Sequence, residues 1–241
     1  MKDCNKNILI GNSMYPMVSI GTFQRKYDEL LNLFSKYPYD RLWIDTAYRY
    51  GNENMVSKAL KDSNLASSKV IYTGKICYSQ QVRNKTVKEE LQGTLRRLKI
   101  SEIDTYLIHS PRYVNYCETW REMQKLRDEG LIKNIGVSNF GVCDLKKIYH
   151  ETGEYPQINQ IVCNPNKGDD LQNELLISFC KSKSIVIQVA MPFGGALNAK
   201  RLTLEQRKNI LQRNCKNQIV SVIGTGSVEH MIQNLSYILG E

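Results

Sequence analysis

The chain has 241 residues, 41% of them hydrophobic, which is enough for one sizeable core and by length allows one large domain or two small ones. Its formal net charge is +9, but the densest basic stretches, TLRRLK (94–99) and AKRLTLEQRK (199–208), fall on the polar sides of amphipathic patterns and carry no interleaved aromatics. They speak for solvated helix faces rather than a nucleic-acid surface, while the positive field would still draw in anionic small ligands such as phosphorylated cofactors.

The first element is a small hairpin, expected from Ile8-Leu9-Ile10, the turn Gly11-Asn12-Ser13 and Met14, and placed to cap one end of the fold. Short apolar runs bounded by turns then alternate with stretches of 3.6-residue period. The runs predict strands at 17–20, 42–44, 70–73, 105–108, 134–137, 158–162, 185–189 and 220–223. The periodic stretches predict helices at 27–36, 53–62, 83–98, 116–129, 141–151, 170–182, 203–214 and 228–239. In the third helix Val87, Leu91, Leu95 and Leu98 recur at i, i+4, i+8 and i+11, opposite Lys88, Glu89, Gln92 and Arg96. Strict alternation implies a parallel sheet, and eight repeats of it point to an α/β fold, a closed (β/α)₈ TIM barrel, over an open doubly wound sheet.

No Pro-rich, Gly/Ser-rich or single-sign run marks a linker, so one domain over residues 1–241 is expected. The opening MKDCNKNILIGNS lacks a signal-peptide core, and no segment reaches the ~18 apolar residues of a membrane span. The seven cysteines (4, 77, 117, 143, 163, 180 and 215) are scattered without metal-ligand spacing. These features lead us to expect a soluble cytoplasmic protein with reduced thiols, no metal and no membrane contact.

Barrel chemistry sits where strands end. The successive runs lead into Gly21-Thr22-Phe23, Asp45, Lys75, His109 and Ser138-Asn139; the sixth contains Gln160, the seventh closes on Met191-Pro192-Phe193-Gly194 and the eighth on Gly224-Thr225-Gly226-Ser227. Each ionisable residue has a plain alternative: Asp45 as a turn cap, Lys75 as a snorkelling side chain, His109 as a satisfied core histidine. Together, one βα unit apart, they put an acid, a base and an imidazole on one rim. Phenol is a poor acid near neutrality unless a cation stabilises the phenolate. Lys75 would supply that cation, Asp45 would hold it, and His109 would donate to an oxygen between them, an arrangement suited to protonating a carbonyl oxygen. Tyr48 and Tyr50 both follow Asp45 closely enough to be the acid.

IDTAYRYGNE (44–53), YTGK (72–75), EIDTYLIHSP (102–111), IGVSNF (135–140) and PQINQ (156–160), in this order, resemble the aldo-keto reductase superfamily from about Gly21 to Asn234. The resemblance implies a barrel that reduces aldehydes or ketones to alcohols with NADPH or NADH. It implies Tyr50 as general acid, with Tyr48 left to a packing role, Lys75 and Asp45 as the tuning pair, and His109 as orienter of the substrate carbonyl. For the cofactor it implies Gly21, Thr22, Phe23, Asp45, Ser138, Asn139, Gln160, Phe193, Gly194, Thr225, His230 and Asn234. Ser138, Asn139 and Gln160 match the positions that hold the nicotinamide carboxamide; a helix cap or a satisfied buried amide are their structural alternatives.

The pattern also breaks. Ala190 stands where the family usually has a tyrosine stacking on the nicotinamide, and Gly224 and His230 stand where NADP-using members carry a lysine and an arginine. A Thr-Gly-Ser turn opening the last helix remains as an anion site, with weakened discrimination between NADPH and NADH. The segment after the seventh strand is short for the family and the sequence stops at Glu241 without the family's tail, so an open, shallow substrate site is expected. A carbonyl reductase acting on a small molecule is therefore the leading expectation. An acid/base lyase or isomerase without net redox, or a non-catalytic barrel binding a nucleotide or a partner, are the alternatives.

Overall fold

A computed structural model describes residues 6–76, 85–112, 115–162, 170–195 and 199–239. Cys4, Cys77, Cys163 and the first two residues of the third expected helix lie outside the described residues.

The hairpin forms first. β1 (Asn7–Ile10) and β2 (Ser13–Pro16) pair antiparallel, with Ile10 opposite Ser13 across a turn in which Gly11 takes φ +56°. The barrel strands are β3 (Val18–Gly21), β4 (Leu42–Asp45), β5 (Val70–Ile76), β6 (Ile103–Ile108), β7 (Ile132–Ser138), β8 (Ile158–Val162), β9 (Val186–Ala190) and β10 (Val220–Ile223). They pair in parallel in sequence order, and β10 closes the ring on β3. Among the described residues eight helices accompany them: α1 (Tyr27–Ser35), α2 (Glu53–Asp62), α3 (Val87–Leu98), α4 (Tyr116–Asp128), α5 (Val142–Thr152), α6 (Asp170–Ser182), α7 (Leu204–Lys216) and α8 (Val228–Leu239). This is the (β/α)₈ barrel expected from the alternation.

Helix α3 shows how the pattern becomes packing. Its Thr86 Oγ1 accepts from the Glu89 N–H at 3.2 Å while Glu89 Oε2 accepts from the Thr86 N–H at 2.7 Å, a reciprocal cap that fixes the first turn. Val87, Leu91, Leu95 and Leu98 are buried, and Lys88, Glu89, Gln92 and Arg96 are exposed. Each apolar side chain so removed from water contributes about 1.5–3 kcal/mol. Arg97 departs from the solvated face expected of this basic stretch: its guanidinium pairs with the buried Glu53 at 2.5 Å and lies 4.8 Å over the Tyr48 ring. A buried carboxylate without a partner is costly, and Arg97 reaches this one from the neighbouring helix.

The hairpin caps the end of the barrel at which the strands begin. The Tyr15 ring packs tilted against Trp43, early in β4, at 5.0 Å between centroids, and its hydroxyl accepts a 2.6 Å bond from Asn134 Nδ2, early in β7. The opposite rim is left for Asp45, Ser138 and the loops beyond them.

Strand bounds differ from the expected ones chiefly at β5, which runs through Lys75 to Ile76 instead of stopping at Thr73. A lysine is tolerated inside a buried strand only if its charge is paired, and Lys75, fully buried, has its partner inside the barrel. At β7 the close approach of neighbours requires glycine: a Cβ on Gly136 would come within 2.6 Å of Leu107 Cδ2 and 2.7 Å of the Ile158 carbonyl oxygen. Gly136→Ala is therefore expected to destabilise the protein by about 1–3 kcal/mol in urea unfolding, as overpacking does. Gly224→Ala, whose added carbon meets nothing within 4 Å, should stay within about 0.5 kcal/mol of the parent. Equal midpoints for the two variants would contradict the packing described.

Candidate active site

The rim gathers the three ionisable residues expected there. Lys75 Nζ donates to Asp45 Oδ1 at 2.6 Å, to the Thr46 carbonyl at 3.2 Å and to Tyr50 Oη at 3.1 Å, so all three ammonium hydrogens are committed. Asp45 is held from behind as well. Its carbonyl accepts from both the N–H and the hydroxyl of Thr22, and Asn52 Nδ2 ties the Thr22 carbonyl at 2.7 Å. Gln160 Nε2 donates to the second carboxylate oxygen, Oδ2, at 2.6 Å.

Geometry separates the two tyrosines. A 3₁₀ turn over Tyr48–Tyr50, closed by Gly51 at φ +68°, points Tyr50 at Lys75 and leaves Tyr48 under Arg97. Tyr50 also meets Phe23 at 5.0 Å between ring centroids and His109 edge-on at 6.0 Å. The turn itself had no counterpart among the expected elements.

Burial raises the Tyr50 pKa above its ordinary value; the Lys75 charge pulls it down and Asp45 pushes it up, and the net shift is upward. The cation expected from the Lys75–Asp45 pair is in place, but desolvation outweighs it and Tyr50 stays a neutral O–H donor. Burial disfavours the Lys75 charge, yet Asp45 and Tyr50 more than offset it and its pKa lies above the usual. His109 is pushed down to about 3, first by burial and then by the Lys75 and Arg49 charges. It is a neutral imidazole, with Nδ1 buried and without a hydrogen-bond partner among the described residues.

The residues expected at the cofactor fall into three groups. Ser138 is buried at the end of β7; the exposed Asn139 comes next at φ +64°, donates to Ser138 Oγ at 3.1 Å, and reaches the His109 carbonyl at 3.4 Å. Gly21 and Phe23 line a cavity of about 180 Å³ together with Asp45, Tyr50, Ala190 and Phe193. Gly194, at φ +73°, closes a turn on the Met191 carbonyl beside it. At the far side Thr225 and Asn234 are buried and His230 is exposed. Ser227 Oγ accepts from the His230 N–H at 3.2 Å and Thr225 Oγ1 from the Ser227 N–H at 3.1 Å. Two of the amides counted on for an anion site at the start of α8 are therefore capped by the chain itself.

The cavity has the size of a ring and its substituents, room for a nicotinamide beside Tyr50 and Asp45; Ala190 and Gly224 also line it, and a Cβ added at Gly224 would meet nothing within 4 Å. Two lining or supporting residues escaped sequence reasoning. Arg25 lines the cavity and pairs with Glu29 at 3.4 Å, and that pair packs directly against Gly226. A basic residue four positions beyond the terminal glycine of β3 was the available signal. Gln188 was the other, a single amide inside the apolar run IVIQVA.

Comparison with known proteins leads the same way. Residues 21–239 match the family model described as Aldo/keto reductase family. The chain is 37% identical over 158 residues to "Methylglyoxal reductase DkgA" of Escherichia coli, covering 64% of this chain and 56% of that protein. It is 33% identical over 150 residues to the "NAD/NADP-dependent indole-3-acetaldehyde reductase" of Schizosaccharomyces pombe, covering 60% and 51%. The match thus spans just over half the length of these curated relatives. The crystal structure of an aldo/keto reductase from Brucella melitensis superposes with a TM-score of 0.82 at 26% identity, covering 98% of this chain and 93% of the other.

The neutral His109 has a consequence for stability. An unfolded histidine titrates near ~6.5, and the folded one at about 3, so as pH falls the unfolded chain takes up the proton first. The stabilisation is complete above about 6.5 and is lost progressively down to about 3. Between pH 7 and pH 5 the parent should lose roughly 1–2 kcal/mol more than His109→Gln in urea unfolding. Equal losses would contradict the buried neutral imidazole.

Proposed function

The chain belongs to the aldo/keto reductase family, and on that premise we propose that it reduces an aldehyde or ketone to an alcohol with NADPH or NADH, Tyr50 serving as the proton donor. The single observation that carries the reading is the 3.1 Å contact of Lys75 Nζ with Tyr50 Oη while Asp45 holds the same ammonium at 2.6 Å. The names of the two relatives, a methylglyoxal and an indole-3-acetaldehyde reductase, support a small carbonyl substrate.

When bound, the nicotinamide supplies hydride to the carbonyl carbon. The protein's own part is the other half of the reaction. Tyr50 Oη donates its proton to the carbonyl oxygen as charge develops there. The phenolate left behind faces the Lys75 ammonium, which stays put because Asp45 and the Thr46 carbonyl hold it. His109, uncharged, donates a hydrogen bond to the same oxygen and so sets the direction in which the carbonyl points. Solvent returns the proton to Tyr50 once the alcohol has left.

Ser138, Asn139 and the Gln160 carbonyl are assigned to the nicotinamide carboxamide. Gly21, Thr22, Phe23, Asp45, Phe193 and Gly194 are assigned to the wall beside the ring, and Thr225, His230 and Asn234 to the distal end of the cofactor. Arg25 joins them as a cation lining the cavity. We read residues 1–241 as one domain, supported by a hydrophobic cluster running from Ile10 to Leu239. We also infer action in the cytoplasm, without membrane or nucleic acid. Free Cys117, Cys143 and Cys180 support a reducing compartment, and among the described residues no helix is long and apolar enough to cross a membrane.

Titrating the purified protein with NADPH and NADH while following the fluorescence of Trp43 and Trp120, then assaying simple aldehydes, tests this directly. Binding of at least one nucleotide with turnover is expected, and binding of neither would overturn the reading. Tyr50→Phe should cut reduction by about 10²–10⁴-fold, the range of a lost general acid, with cofactor affinity nearly unchanged, whereas Tyr48→Phe should leave the rate close to that of the parent. The reverse outcome would move the acid to Tyr48.

A further inference from the structure

Arg97 stands in the last turn of α3, yet it folds inward until only 26% of its side chain is exposed. Nε donates to Glu53 Oε2 at 2.5 Å, Nη2 donates to Thr94 Oγ1 at 3.2 Å, and the guanidinium carbon lies 4.8 Å from the centre of the Tyr48 ring. Room for the remaining nitrogen, Nη1, comes from Gly93, where a Cβ would stand 2.9 Å from it. Glycine inside a helix is less favourable than alanine, so α3 gives up some local stability where the guanidinium folds back.

The two partners flank the catalytic phenol along the chain. Tyr48 opens the 3₁₀ turn that carries Tyr50, and Glu53 begins α2 three residues after Tyr50. The bonds inside the turn, Tyr50 N–H to the Ala47 carbonyl and Gly51 N–H to the Tyr48 carbonyl, both 3.0 Å, fix its shape but not its place against the barrel. On the barrel side that place is set by the Thr46 N–H on the Thr73 carbonyl at 2.9 Å and by Asn52 Nδ2 on the Thr22 carbonyl at 2.7 Å. On the helix side it is set by Arg97. The Glu53 side chain is 1% exposed and its Oε1 has no hydrogen-bond partner among the described residues, so its charge is balanced by this guanidinium. A buried carboxylate that loses its cation must take up a proton or move toward water. Glu53 can move only by pulling on Gly51 and Asn52, next to Tyr50. The phenol meets Lys75 through one 3.1 Å contact at the tip of its ring, so it is sensitive to such a shift.

We propose that Arg97 is a positioning residue: clamped between the Glu53 carboxylate and the Tyr48 ring, it holds the turn from the helix side and so keeps the Tyr50 hydroxyl in place beside Lys75. It acts through these two side chains and not by contact with the reacting atoms. Tyr48 serves the clamp with the face of its ring, which a phenylalanine would keep. The inference rests on the reductase reading above and deepens it, because it extends the proton-donating unit from the barrel rim to α3.

Reduction of a simple aldehyde at saturating nucleotide, together with nucleotide affinity from fluorescence titration, tests this. Arg97→Met keeps the aliphatic stem and removes the charge; it should lower kcat by about 10–10²-fold, the range of a small misplacement of a reacting group, with nucleotide affinity nearly unchanged. Arg97→Lys should recover most of that loss. In a Tyr50→Phe background, where no proton donor is left to position, Arg97→Met should change nothing further. A general structural role would lower kcat by the same factor in both backgrounds or weaken nucleotide binding alongside it. Either result, or a parental kcat in Arg97→Met, would overturn the proposal.

Arg97→Met also strands the Glu53 charge. Should it fail to fold for that reason, the double variant Glu53→Gln, Arg97→Met removes the charge along with its partner and lacks the clamp as well. Its kcat should fall as stated, and a folded double variant with the parental kcat would sink the idea. A readout without turnover separates this inference from the reading on which it rests. The Tyr50 and Phe23 rings, 5.0 Å apart between centroids, should show a strong ¹H nuclear Overhauser contact in the parent and in Arg97→Lys, and a weak one in Arg97→Met. An unchanged contact in Arg97→Met would overturn the positioning role. A parent that reduces no aldehyde, with the contact still weakened in Arg97→Met, would remove the reductase reading and leave the clamp standing.

Discussion

The ion pair between Lys75 and Asp45, 2.6 Å long and all but sealed from solvent, is the constraint on which the rest of the rim depends. Two charges inside a barrel are costly unless each is paired and fully hydrogen-bonded, and removing one partner of such a pair typically destabilises by about 3–5 kcal/mol. The surroundings meet that demand. Lys75 also reaches Thr46 and Tyr50, Asp45 receives Gln160 on its other oxygen, and Thr22 grips the Asp45 backbone twice. The phenol is therefore one of the groups that make a buried ammonium tolerable, and its place beside the lysine arises from the same balance that lets the barrel fold.

Barrel geometry distributes the work. The hairpin closes the end where strands begin and takes Trp43, Tyr15 and Asn134 into a sealed floor, so the polar layer can lie at the other end. There the acid set comes from β4, β5 and the 3₁₀ turn after β4, while the amides come from β8 and β9 across the ring. Proton delivery is thus built on short bonds within the sheet. The cofactor side rests more on loops, with Ala190 and Gly224 among the residues that line the cavity. Arg25, paired with Glu29 against Gly226, is the cation among the residues that line it.

Much of this was legible in the sequence because strand ends in a barrel converge. Asp45, Lys75 and His109 each come after an apolar run by the same rule, and one βα unit between them is enough to place them on one rim. The barrel order, the α3 stripe and the hairpin were readable for the same reason, since periodicity of two or 3.6 residues survives in any single sequence. What lacked a periodic signal stayed hidden. A lone Gln188 in an apolar strand, the inward turn of Arg97 and the caps at Ser227 and Thr225 all depend on partners far away or on local backbone geometry. The net effect on Tyr50 was hidden too, because it is a balance of burial against two opposite charges and only the folded distances decide it.

The protonation of Tyr50 is the point at which fold and chemistry meet, and ¹³C NMR of protein labelled at tyrosine Cζ reads it directly, with the Tyr50 signal identified by its loss in Tyr50→Phe. The titration midpoint should lie above the ordinary 10.0 of a tyrosine and move further up in Lys75→Met, where the stabilising cation is gone. A midpoint at or below 10.0, or one indifferent to Lys75→Met, would contradict a buried phenol held as a proton donor beside a charged lysine.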